Sequence, residues 1–290
     1  MIKVRVGGVP EHFNLALHLA IEDNAFKKEG IDIEWNDMPG GTGAMCRALH
    51  DDELDIAIAL TEGVVSDFMC GNPSKIVQFY VNSPLCWGIY VAGNSPINSI
   101  SEIEKKKYAI SRYNSGSHLM AFVNANNHQL KIFNNDFVLV GNLSGAREAL
   151  KMNTAQIFMW EKFTTKPLVD SGEFKIIGEC RTPWPCFVIA VRNQFIDAHE
   201  EVLTRILNII NLYCLLLKNN SAAPILIANR YGIKLEDAKL WFQELEYAYE
   251  PQIDEYVMLQ ACAEMKKYGI INHIPQMEEI CYGKNIMLME

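Results

Sequence analysis

Two α/β domains followed by a helical tail are predicted for this chain from three observations. It has 290 residues, about twice an average domain and enough to bury a core without disulfides or metals. Strand-period and helix-period segments alternate through the first hundred residues, and the alternation starts again near Ser101. From Phe195 onward the apolar spacing is almost entirely helical.

The elements follow in order. Lys3 to Gly7 alternates as a strand, and Phe13 to Lys28 reads as a helix with Leu15, Leu19 and Phe26 on one face and Gly30 as its C-cap. Ile31 to Trp35 is a strand. The loop Pro39-Gly40-Gly41-Thr42-Gly43 opens a helix to about Leu49, Asp55 to Leu60 is a buried strand, Val64 to Cys70 a short helix, and Lys75 to Val81 a strand. This order argues a parallel sheet with helices on both faces. In the second domain Ser101 starts a capped helical turn, Tyr108 to Ser111 is a strand and Ser115 to Ala125 a helix. Phe137 to Val140 and Ala155 to Met159 are strands, with a helix at Ser144 to Lys151. Cys186 to Val191 is a last apolar strand; helical stripes then run through Leu203, Leu207 and Ile210, and through Ile253, Val257 and Ala261.

Leu85 to Ala92 enters the second domain and Pro183 to Val191 leaves it, and both are strand-like instead of Gly/Ser-rich. Two extended crossings predict an inserted domain on a two-strand hinge. The first domain is therefore expected to be discontinuous (1–84 and 192–290), and the second to span 85–191 with both hinge strands.

Apolar residues make up 49% and charged residues 21%, and mean hydropathy is zero, which argues against long disorder and against a membrane protein. The segment Leu203 to Leu217 is interrupted by Arg205, Asn208 and Asn211 and reads as a buried core helix, too short and polar to span a bilayer. With 26 basic and 35 acidic side chains the net charge is −9. Nucleic acid is not an expected partner, since the one basic run, Lys105 to Lys107, follows Glu102 and Glu104 and reads as a solvated helix end. The eight cysteines contain no C-x-x-C pair, so zinc ribbons, redox motifs and haem attachment lack their spacing; free thiols in a reducing compartment are expected. Met1 to Val6 alternates as a strand and does not read as an export signal, so the chain is expected to start directly in its fold.

Ligands of open α/β sheets bind beyond the carboxyl ends of the strands. In the first domain those positions hold Glu11, His12 and Phe13, then Gly41 and Thr42, then Thr61 and Glu62. In the second they hold Tyr113, Asn114, Ser115, Gly116, Ser117 and His118, then Trp160 and Glu161, with Trp87 and Trp184 in the crossings. Free N–H groups of Gly40 to Gly43 before a helix have the chemistry of an anion cradle, but the same loop also serves as a tight strand-to-helix turn. It lacks both the P-loop lysine and the dinucleotide spacing. Asn114 to His118 offers a second such loop with hydroxyls and an imidazole. The sequence has no G-x-S-x-G, no H-E-x-x-H and no carboxylate-rich metal cluster, so no catalytic residue, metal or cofactor is expected.

The run AIEDNAFKKEGIDIEWNDMPGGTGAMCRALHDDELDIAIALTEG (20–63) resembles the N-terminal domain of type II periplasmic substrate-binding proteins of ABC importers, in the group of nitrate, sulfonate and thiamine-pyrimidine binders. SISEIEKKKYAISRYNSGSH (99–118) resembles the start of their second domain. The resemblance covers about the first 190 residues. It implies a two-lobed clamp of the type II periplasmic-binding fold that closes by hinge bending on a small molecule in the interdomain cleft. The superfamily also holds fungal thiamine-pyrimidine synthases, which use pyridoxal phosphate, a histidine and iron. Their cofactor lysine follows the strand equivalent to Asp55 to Ile58; here the stretch from Asp55 to Gly63 has neither lysine nor histidine.

The expected function is therefore ligand binding without catalysis. Glu11, Glu62 and Glu161 face a single Arg112 among the post-strand loops, which favours an amine-bearing heterocycle such as an aminopyrimidine over a sulfonate. Stacking is expected from Phe13, Trp87 and Trp160, hydrogen bonds from Thr42, Thr61, Ser115 and Ser117, and amine or ring-nitrogen contacts from Glu11, His12 and Glu62. The alternatives are an enzyme of the thiamine-pyrimidine synthase type and a regulatory or interaction module that has lost its ligand. A cytoplasmic location is expected if Met1 is native, and an extracytoplasmic one if a signal peptide has been trimmed; protein partners are unknown.

Overall fold

The computed structural model describes residues 1–287. Ten strands build two sheets: β1 (Ile2–Gly8), β2 (Ile31–Asp37), β3 (Ile56–Leu60), β4 (Ser74–Val81), β5 (Cys86–Ala92), β6 (Tyr108–Ile110), β7 (Phe137–Leu139), β8 (Ile157–Glu161), β9 (Phe174–Arg181) and β10 (Phe187–Arg192). The described residues form two compact units, 1–83 with 184–267 and 271–287, and 84–183 with 268–270.

The first unit holds a five-stranded sheet in the order β2-β1-β3-β10-β4. β1 pairs parallel with β2 and β3, but β10 runs antiparallel between β3 and β4. The sheet is thus mixed, not the parallel one expected, because its last strand returns from the inserted segment and enters from the opposite end. β10 also belongs to this first sheet and not to the inserted unit, since its apolar run Phe187–Val191 is buried by ladders on both sides. The expected helix over 13–28 is broken: a 3-10 turn at His12–Asn14 leads into a helix at Leu15–Glu22, and Asn24 in left-handed geometry (φ 54°) separates a short helix at Ala25–Lys28. Asn tolerates that conformation better than most residues.

The second unit repeats the design, with its sheet in the order β7-β6-β8-β5-β9. β6 is parallel to β7 and β8, whereas β5 runs antiparallel between β8 and β9. Residues 162–181, unassigned by periodicity, form a helix at Lys162–Asp170 and the edge strand β9. Pro167 inside the helix and the mixed polarity of Phe174–Arg181 obscure both elements in the sequence. The three lysines at 105–107 are not on a helix; the helical turn is a 3-10 segment at Ile100–Glu102, and Lys105 adopts φ 61° before β6 begins.

In the tail, the helix Asn193–Lys218 buries Leu203, Leu207, Ile210, Cys214 and Leu217 but exposes Leu212, Leu215 and Leu216. The expected core helix is thus buried on one face only. The later helix, Glu255–Lys267, buries Met258, Ala261, Cys262 and Met265, a face displaced from the predicted stripe because Ile253 lies outside the helix, in a two-stranded ladder with Ile286. Among the described residues no helix is long and apolar enough to cross a membrane.

Candidate functional site

In both units the antiparallel strand delivers its starting residues to the end of the sheet where its parallel neighbours finish. Phe187 at the start of β10 pairs with Leu60 at the end of β3, so the residues just before β10 meet those just after β3. Trp87 near the start of β5 pairs in the same way with Glu161 at the end of β8. This topology brings residues far apart in sequence to the edge where ligands of α/β sheets bind.

In the first unit it joins Glu62 to Trp184. The Trp184 indole N–H donates to Glu62 Oε2 at 2.8 Å across 122 residues of chain. Both side chains are buried, and Glu62 Oε1 has no hydrogen-bond partner. Burial pushes the Glu62 carboxyl up to about 7, opposed by a hydrogen bond from its own backbone N–H and the one from Trp184. Thr61 fastens this edge: its N–H donates to the Cys186 carbonyl at 3.0 Å and its hydroxyl to the Pro185 carbonyl. Thr42 Oγ1 accepts from the Leu60 N–H at 3.1 Å, and the Thr42 methyl fills the space over Gly63. Both threonines, expected as ligand contacts, thus have a positioning task in this edge. Gly41 holds φ 67°, the conformation that lets the loop turn directly into the helix Thr42–His50.

His12 and Phe13 lie together but belong to an aromatic core. Their rings stack at 4.9 Å, and both meet Trp241 edge-on, at 4.3 and 5.1 Å. Phe13 also packs on Phe187, and its carbonyl accepts from the hydroxyls of Tyr80 (2.9 Å) and Tyr247 (2.8 Å). The Phe13 ring is thus enclosed on these sides by packing partners. Burial drives the His12 imidazole down to about 3, so it is neutral at physiological pH. Trp241, in the helix Leu235–Glu244, was invisible to sequence reasoning here because nothing in its own segment marks its distant partners. Glu11 is half-buried at the turn before His12.

In the second unit Trp87 and Trp160 come together with ring centroids 6.4 Å apart and planes at 75°, and Trp160 stacks on Phe158 at 5.3 Å. Trp87 is buried, and its indole N–H finds no acceptor. Glu161 caps the next helix: Oε2 accepts from the Thr164 N–H at 2.6 Å, and the Glu161 carbonyl accepts from the Thr165 hydroxyl. Burial lifts its carboxyl to about 7 against these hydrogen bonds. Glu161 is accordingly a cap, a role its position after β8 had not distinguished from ligand binding.

The loop 111–118 is tied to itself. Ser115 donates to the Arg112 carbonyl at 2.7 Å and accepts from the His118 N–H, and Ser117 Oγ accepts from the Ser111 N–H at 3.0 Å and lies 3.0 Å from Ser115 Oγ. The His118 Nδ1 accepts from the Asn114 N–H at 3.0 Å, which places the ring proton on Nε2, an atom with no hydrogen-bond acceptor. Burial lowers this imidazole to about 4. Asn114 adopts φ 60°, Gly116 begins the helix Gly116–Asn127, and Tyr113, half exposed, meets His118 edge-on at 5.3 Å. Thr182, a post-strand position in the sequence, joins the two crossings: its Oγ1 accepts from the Leu85 N–H at 2.9 Å, and its N–H donates to the Leu85 carbonyl at 3.0 Å.

Residues 87–180 match the Ca3427-like PBP family. Over the whole chain the structure is similar to that of the conserved Candida albicans CA3427 gene product, described as defining a new family with the generic periplasmic binding protein structural fold. The two share 25% identity with a TM-score of 0.89, covering 99% of this chain and 96% of that one. The alkanesulfonate-binding protein SsuA of Xanthomonas axonopodis pv. citri, bound to MOPS, is 13% identical with a TM-score of 0.77, covering 99% and 98%. The periplasmic aliphatic sulphonate binding protein SsuA of Escherichia coli is 13% identical with a TM-score of 0.67, covering 97% and 92%. No curated protein matches the sequence. The chain thus has the periplasmic binding protein fold, as the resemblance implies.

Proposed function

We propose that this chain binds a small amine-bearing heterocycle of the aminopyrimidine class, recognised by Glu62 at the strand ends of the first unit, and performs no chemistry on it. The observation that carries the reading is Glu62. Its carboxyl is fully buried, one oxygen is held by Trp184 and the other has no partner, and no cationic side chain contributes to its titration. A buried carboxyl in that state is completed by a ligand that donates an N–H and favours the ionised form. A sulfonate would meet the wrong charge. Binding without chemistry is supported by the roles the titratable groups already hold: His12 and His118 are kept neutral by burial, and Glu161 is a helix cap.

The test is titration calorimetry with an aminopyrimidine and an alkanesulfonate of similar size. A hydrogen bond to a charged group contributes about 1.5–3 kcal/mol, so Glu62→Gln should weaken aminopyrimidine binding by roughly 10- to 150-fold. Tight sulfonate binding with no effect of Glu62→Gln would overturn the assignment. We further place the chain in a reducing compartment. All eight cysteines are free thiols, seven of them buried, and burial pushes those of Cys86 and Cys281 up to about 12.

A further inference from the structure

We propose that the second unit carries a separate anion site, built for a compact molecule with linked phosphates, in a lysine-lined groove at the opposite end of its sheet. A cavity of about 580 Å³ is lined by Lys105, Lys106 and Lys107 together with residues 95–97, Asn153, Thr154 and Gln156. A second cavity of about 240 Å³ shares Ser95, Pro96, Asn153 and Gln156 with the first and adds Lys151. The shared residues make one groove, with four lysines and no carboxylate in its lining. In a chain of net charge −9 this is a local reversal of sign.

Three successive lysines would alternate across a regular strand. Here Lys105 takes φ 61°, and the turn it makes lets all three line one cavity. The floor is fixed before any ligand arrives. Gln156 Oε1 accepts from the Lys107 N–H at 3.0 Å, the Gln156 N–H donates to the Lys107 carbonyl at 2.9 Å, and Gln156 Nε2 donates to the Asn153 carbonyl and Oδ1 at 2.9 and 3.0 Å. Among the described residues Lys105, Lys106, Lys107 and Lys151 form no ion pair. Of the carboxylates near the groove, Glu173 is held by Arg147 at 2.6 and 2.8 Å and also feels the charge of Lys151, while Glu102 and Glu104 precede the lysines in the chain.

The groove lies where β8 begins, and Trp160 and Glu161 lie where it ends, roughly 13 Å away at about 3.3 Å per residue. The two sites are therefore separate. The ligand class follows from the lining. Ammonium groups bind phosphate oxygens as point charges, and three of them on adjacent residues match the closely spaced charges of linked phosphates better than a single carboxylate. The larger cavity is of small-molecule size. The chain's net charge of −9 disfavours a long polyanion, whose flanking charges would extend beyond the lysines.

The experiment is calorimetry on the full chain with tripolyphosphate, ADP and a single-stranded oligonucleotide. A Lys105→Gln/Lys106→Gln/Lys107→Gln variant is compared with a Lys27→Gln/Lys28→Gln control, and circular dichroism confirms that both fold. Tripolyphosphate should bind, its affinity should fall at least 10-fold in the triple variant, and the control should stay within about 2-fold. ADP binding more tightly than tripolyphosphate would assign the occupant to nucleotides; equal binding would assign it to linked phosphates alone. The proposal is overturned if tripolyphosphate and ADP both give no heat at millimolar concentration, if the control loses as much affinity as the triple variant, or if the oligonucleotide binds as tightly as either.

Discussion

Replacing Glu62 by Gln should stabilise the unliganded protein at neutral and alkaline pH while weakening its ligand binding. In the unfolded chain a glutamate ionises near 4.5, whereas burial raises the folded carboxyl to about 7. Below 4.5 both states hold the proton and Glu62 costs nothing. Between 4.5 and about 7 the folded state keeps a proton that the unfolded state has lost, so stability falls as pH rises, and the full cost stands above 7. The interval is about 2.5 pH units, roughly 3 kcal/mol at 1.36 kcal/mol per unit. The glutamine amide can still accept the Trp184 hydrogen bond but has no proton to lose. Glu161, also raised to about 7, is present in both proteins and cancels in their difference. Urea unfolding of the two proteins from pH 4.5 to 8.5 should give curves that coincide at the acid end and separate to about 3 kcal/mol at the alkaline end. A difference independent of pH, or a Glu62→Gln variant that is the less stable of the two at pH 8.5, would refute the reasoning.

Two further outcomes concern the first unit. Asp55 accepts hydrogen bonds from the Arg5 N–H at 2.8 Å, from its guanidinium at 2.7 and 3.1 Å, and from Arg192 at 2.7 Å. Asp55→Asn should cost about 2–3 kcal/mol in urea unfolding at pH 7, toward the low side for a buried pair because Arg5 is one-third exposed. Burial opposes ionisation here, but the arginine hydrogen bonds hold the carboxyl below its ordinary 3.8, so this difference should persist above that pH and shrink as pH falls below it. Gly63→Ala adds a methyl whose carbon would stand 2.5 Å from Thr42 Cγ2. Thermal unfolding should show a loss of about 1–2 kcal/mol despite the better helix propensity of alanine, and Thr42→Ser in the same chain should restore most of it.

Elements whose own residues carry a clean period were legible: the strands Ile2–Gly8 and Ile56–Leu60, and the helix Leu143–Lys151. Those missed or misplaced depend on something non-local. Phe174–Arg181 is a strand because β5 offers it an edge, not because its residues alternate. Phe187–Arg192 reads as an apolar strand, but only its pairing with β3 and β4 decides which sheet it completes and in which direction. The same division applies at the strand ends. Position alone marked Glu62 and Glu161 equally, yet one has an oxygen without a partner and the other caps a helix.

Composition and periodicity by themselves indicated two α/β units and an acidic chain with no thiol spacing for metal. They do so because burial of apolar faces depends mainly on local spacing. Tertiary structure alone decided that Trp184 reaches Glu62, that Phe13 belongs to a core around Trp241, and that Lys105 to Lys107 line a groove instead of ending a helix. Each is a meeting of side chains separated in sequence or turned by one backbone angle, and hydrogen bonding and burial act on distance in space, which sequence spacing does not encode.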